Sequence, residues 1–199
     1  QGPAPVPICP ERHMIWGEIF VSSDRYIHQD ADYEPAASTN ITFKDKGISI
    51  AVAAAAEDLA RNRAMPRFFF CNWPSTQFAC WDKPATRAHG AIMAEVLAHL
   101  DELVYDPDPG EYTGSWIDWD PLPKPLPYPD CAYSYGLTDD EVHACVAVGK
   151  DKIYLQRSAS SDFGPDEPLT VAVWAEWLYN TNQEFGAPKP VPEIAPSSP

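Results

Sequence analysis

Proline divides this chain before any other feature does. Its 22 prolines crowd the opening QGPAPVPICP, the stretch 107–129 and the closing GAPKPVPEIAPSSP. Proline lacks a backbone donor and locks φ, so the two ends are expected to be extended arms and 107–129 a long ordered loop. Regular structure is confined to what lies between. The expected organisation is a Pro-rich arm over 1–12, one domain over 13–185 carrying the insertion 107–129, and a Pro-rich tail over 186–199. With 199 residues, 45% of them hydrophobic, one domain can bury a real core.

Between the prolines, helical patterns dominate. ISIAVAAAAEDLARNR (48–63) predicts a helix with Gly47 before it and Arg61 and Arg63 complementing its C-terminal dipole. PATRAHGAIMAEVLAHLDEL (84–103) predicts the strongest helix, with Pro84 near its first turn and Ile92, Val96, Leu100 and Leu103 at helical spacing. LTDDEVHACVAV (137–148) opens on a capping box, Thr138-x-x-Glu141, and DEPLTVAVWAEWLYNT (166–181) predicts the last helix. HMIWGEIFVSS (13–23) reads as a strand or the start of a helix, and RFFFCNW (67–73) as a short buried strand. The fold class is α+β: helix-rich, with a small sheet.

A net charge of −15 argues against nucleic acid and anionic membrane surfaces, and no apolar run is long enough to cross a bilayer. A start at Gln1 in place of Met is expected from removal of a leader or tag. Five cysteines and the sequon Asn40-Ile41-Thr42 point to an oxidising, extracellular compartment, with glycosylation at Asn40. Cytosolic buried thiols are the alternative.

Four features fall in order: the pair Cys71 and Cys80, the helix carrying EVLAHLDEL, the run GSWID (114–118), and Tyr135-Gly136 followed by a helix around Cys145. This order resembles the fungal deuterolysin-like aspzincins, among them the lysine-specific metalloendopeptidases. The resemblance implies a single zincin-like domain and a zinc held by H-E-x-x-H plus the Asp of G-T-x-x-D. Here Asp118 matches that Asp, and Tyr135, with Tyr133 as a rival, matches the tyrosine that assists at the oxyanion.

The motif departs from the family at its centre. With His99 on the second histidine, the first becomes Glu95 and the catalytic glutamate becomes Val96. The other register keeps Glu95 as catalytic glutamate but puts Ala94 and Ala98 where both histidines belong. Val96 takes no proton, and a missing base lowers turnover by roughly two to four orders of magnitude. The expectation is a degenerate metallopeptidase acting by binding, in an effector-like or ligand-holding role, with a protein or peptide partner and no cofactor. Zinc is the candidate ion for Glu95, His99 and Asp118. Two rivals stand: an active zinc endopeptidase using those three residues, and an unrelated α+β interaction domain. In the plainest alternative Glu95 and His99 are an i,i+4 pair on a solvated flank. His13, His28, His89 and His143 read as structural or surface residues. In a secreted chain Cys71 pairs with Cys80 and Cys131 with Cys145, leaving Cys9 free; Cys9–Cys145 and Cys9–Cys131 are rival pairings.

Overall fold

Helix α3 (Arg87–Ala98) is the axis on which the other elements are laid. A computed structural model describes residues 9–29, 42–106, 112–156 and 162–192; Asn40 and parts of both Pro-rich ends and of the insertion lie outside them. Around α3 pack α1 (Trp16–Ile27), α4 (Asp139–Lys150) and α5 (Val171–Phe185), while α2 (Ile50–Arg61) packs on α1. The only sheet among the described residues pairs β1 (Val104–Tyr105) antiparallel with β2 (Ser115–Trp116), placing Val104 opposite Trp116. The fold is α+β. No helix among the described residues is long and apolar enough to cross a membrane.

Small residues explain why α3 is central. Ala88, Gly90, Ala91 and Ala94 are buried and let neighbours approach on several sides; a Cβ on Gly90 would lie 2.8 Å from Leu169 and 3.2 Å from Trp177. Its start is set by Thr86, whose hydroxyl accepts from the His89 amide at 3.3 Å while His89 Nδ1 accepts from the Thr86 amide at 3.1 Å. This is a capping box closed by histidine where Glu or Gln is usual. The same Nδ1 accepts from Trp16 Nε1 at 3.0 Å, and Nε2 lies 3.4 Å from Glu141 Oε1. His89 therefore ties α1, α3 and α4 together as a structural core residue.

Several expected boundaries shift. The segment 13–23 resolves into single β-bridges at His13 and Ile15 and then helix α1, whose buried Trp16, Ile19, Phe20, Ser23 and Ile27 follow helical spacing. The strand expected over 67–73 is a 3₁₀ turn, Arg67–Phe69, leading into further turns. Its aromatic run is buried by ring packing, with Phe69 edge-on to Trp16 at 4.8 Å. An apolar run alone does not distinguish a buried strand from a buried turn. α3 stops at Ala98, with a 3₁₀ turn over Leu100–Glu102 after it, and α5 begins five residues later than expected, at Val171 behind its cap Thr170. The capping box at Thr138 and Glu141 stands as read.

Disulfides join Cys71 to Cys80 and Cys131 to Cys145, with Cα separations of 5.9 and 6.0 Å. Cys9 is exposed and free, so neither pairing through Cys9 is present. Asp45 pins the first loop by accepting from the Ala79 and Cys80 amides at 2.9 and 2.7 Å. The second disulfide anchors the loop after β2 to α4, and that loop forms one wall of the cavity described next.

Candidate functional site

At the C-terminal end of α3, three side chains meet under a cavity of about 660 Å³. Glu95 comes from the last turn of the helix and His99 from its C-cap position, one turn on. Asp151 comes from the C-cap of α4. His99 Nε2 lies 2.8 Å from Asp151 Oδ2 and 3.5 Å from Glu95 Oε2, and one donor atom from each residue falls within 4.8 Å of the other two. On its other side, His99 Nδ1 lies 3.4 Å from Glu102 Oε2, and Phe185 packs edge-on against the ring at 5.0 Å.

Glu95 is not on a solvated flank. It is 1% exposed, and its Oε1 has no hydrogen-bond partner among the described residues. Burial is the main reason its carboxyl is pushed up to about 7; the hydrogen bond from His99 opposes this, and the charge of Asp151 adds to it. The hydrogen bond to Asp151, then that to Glu95, raises His99 to about 10. Burial is the largest single influence on Asp151 and works against its charge, but the hydrogen bonds with His99 and Glu95 and the charges of His99 and Lys150 together outweigh it and lower its pKa. The cluster thus holds a protonated His99 between one firmly ionised carboxylate and one whose charge is costly.

The cavity walls contrast with this floor. Ile117, Trp119, Leu122, Tyr128 and Val146, with prolines of the 121–127 loop, supply the apolar surface. Trp119 is fixed by donating from Nε1 to Asp140 Oδ1 at 2.9 Å and by stacking on His143 at 5.9 Å. Tyr128 fits only because residue 149 is glycine, since a Cβ there would overlap its hydroxyl. Five carboxylates, those of Glu95, Glu102, Asp118, Asp120 and Asp151, line the cavity beside a single lysine, Lys150, which pairs with Asp120 at 2.8 Å.

Of the residues marked in the sequence, Glu95 and His99 come together. Asp118 lines the cavity wall, but its carboxylate does not join the cluster; Asp151 takes that place. Asp118 follows β2, whereas the end of α4 meets the end of α3 through the His99–Asp151 hydrogen bond. Asp151 left one signal in the sequence: an acid directly after a helix ending in Lys150 opposes the helix dipole and calls for another reason to be there. Tyr135 and Tyr133 are 62% and 53% exposed and do not line the cavity; the Tyr133 hydroxyl donates to Asp139 at 2.6 Å. Val96 is 1% exposed in the core, out of reach of the cavity. His143 forms part of the wall, and His13 sits in a β-bridge to Thr170.

A second acidic group, Asp24, His28 and Asp58, joins α1 to α2. It differs from the first because Arg61 reaches Asp58 at 2.7 Å and supplies the balancing charge. Burial first, then the neighbouring Asp58, pushes Asp24 up to about 8. Compared with known proteins, the chain matches no family model and no curated sequence.

Proposed function

We propose that this chain is a secreted binding protein that takes a peptide segment of a partner into the cavity between α3, α4 and the 117–128 loop, without peptidase turnover. The observation that carries the reading is the cavity itself. Fixed aromatic and proline walls offer apolar area that loses little entropy on binding, over a floor of carboxylates. Five carboxylates against Lys150 and a protonated His99 leave acidic groups in excess, which favours a segment with a basic side chain beside apolar or proline residues and disfavours acidic segments. Two disulfides support the oxidising compartment. The order of Cys71–Cys80, α3, GSWID and α4 supports descent from a deuterolysin-like, zincin-type metallopeptidase whose motif has degenerated. In that reading Val96 stands at the motif position of the water-activating glutamate and offers no proton acceptor, which accounts for lost hydrolysis.

The test is an amide and indole NMR titration of the labelled protein, in chelator, with basic proline- and aromatic-containing peptides and acidic counterparts. Basic peptides should shift the Trp119 indole and Gly149 amide signals, and Trp119→Ala should weaken them at least tenfold. Equal shifts from acidic peptides, or none from either class, would overturn the proposal. So would chelator-sensitive cleavage of casein that co-purifies with the protein and is lost in Glu95→Ala.

A further inference from the structure

We infer that Glu95, His99 and Asp151 form a binding site for a divalent transition-metal ion, with zinc the best match. The inference goes beyond the peptide-binding reading and does not rest on it.

Three separate observations support it. First, the donor atoms already sit near coordination spacing. A tetrahedral ion with bonds of about 2.0–2.1 Å needs ligand atoms about 3.3 Å apart. His99 Nε2 lies 2.8 and 3.5 Å from the Asp151 and Glu95 oxygens, within about half an ångström of that spacing, and all three donor atoms fall within 4.8 Å of one another. Second, Glu102 lies 3.4 Å from His99 Nδ1. A carboxylate on that side favours the tautomer with its proton on Nδ1, which turns the Nε2 lone pair toward Glu95 and Asp151, an arrangement typical of metal-bound imidazoles. Third, Glu95 Oε1 is buried and without a partner, although its residue borders the cavity floor. A carboxylate buried to 1% exposure with one oxygen unpartnered is unfavourable, and a cation held by Glu95 would compensate its buried charge.

The donor chemistry selects among ions. One imidazole and two carboxylates suit zinc and its transition-metal neighbours, whereas calcium and magnesium favour all-oxygen sets. Three protein ligands leave a coordination position open toward the cavity, where water or a carbonyl of a bound segment would complete the shell. Asp118 lines the cavity but stands outside the group of donor atoms that Glu95, His99 and Asp151 form. With Asp151 as third ligand, two neutralising carboxylates and the nitrogen are already assembled. The rival occupant is a proton on His99, and it predicts no metal affinity.

The test uses the full-length, untagged, disulfide-bonded protein with Cys9 alkylated, stripped by chelator and titrated with zinc in calorimetry at pH 7.5, without peptide. One zinc per chain is expected, with calcium and magnesium at least 100-fold weaker. Asp151→Asn and His99→Ala should each weaken zinc at least 100-fold, their folding checked by circular dichroism. Asp118→Asn, which leaves the three ligands intact, should bind within about threefold of wild type. Absence of saturable binding, or binding that persists in both Asp151→Asn and His99→Ala, would overturn the site. Binding lost instead in His28→Ala would also overturn it, by moving the ion to the other acidic group. Because the peptide titration is run in chelator and the zinc titration without peptide, each proposal fails on its own.

Discussion

Replacing Glu95 by glutamine should make the metal-free protein more stable, but only in neutral and alkaline solution. Glu95 is 1% exposed, its Oε1 has no partner, and its pKa is raised from 4.5 to about 7, chiefly by burial. A raised folded-state value means that the native protein holds the proton more tightly than the unfolded chain does. The carboxyl therefore imposes no penalty below pH 4.5, where both states are protonated. The penalty grows as pH rises through the window and levels off above about 7. At about 1.4 kcal/mol per pH unit the plateau is roughly 3 kcal/mol. Glutamine keeps the shape and stays neutral. His99 loses one of its two carboxylate neighbours but keeps Asp151 at 2.8 Å, which offsets part of the gain. The expected result is parity with wild type at pH 4 and a gain of about 1–3 kcal/mol at pH 8.5, or roughly 2–12 °C in Tm for a chain of this size. Urea and thermal unfolding followed by circular dichroism, in chelator at both pH values, measure it. A variant less stable than wild type at pH 8.5, or a difference of the same size at both pH values, would refute the reasoning.

Removing the Cys131–Cys145 bond by a double serine substitution should lower stability by about 3 kcal/mol in urea unfolding, from the loop closed by its 14-residue separation. Gly149→Ala should cost about 1–3 kcal/mol and displace Tyr128 from the cavity wall; Tyr128→Ala in the same chain should recover part of that loss, which a thermal melt of both variants checks. His89→Phe should cost about 2–3 kcal/mol by leaving the buried Trp16 Nε1 without its acceptor, with the indole signal broadened or shifted in NMR.

The helices were largely legible because their signals are local. A capping box at Thr138 and Glu141 and the apolar spacing of 48–63 depend on residues within one or two turns of each other, and both elements stand within a few residues of their expected bounds. The Cys71–Cys80 pair was legible for the same reason, since it closes a short loop, whereas Cys131–Cys145 competed with pairings through Cys9 until the fold brought the two together. Segments 13–23 and 67–73 were ambiguous because a short apolar run satisfies a strand, a helix start or a buried turn. Only the aromatic partners around Trp16 and Phe69 choose among these.

At the site, the pair Glu95 and His99 was visible as an i,i+4 spacing, but its environment was not. Helical spacing within 84–103 was enough to put a carboxylate and an imidazole on one face. The tertiary structure alone decided that Ala- and Gly-lined α3 would be enclosed by its neighbours, so that Glu95 became buried instead of solvated. It also decided that the third carboxylate would be Asp151, 52 residues beyond His99, and not Asp118. Burial and convergence depend on which surfaces meet when helices pack, and no short window of sequence carries that information.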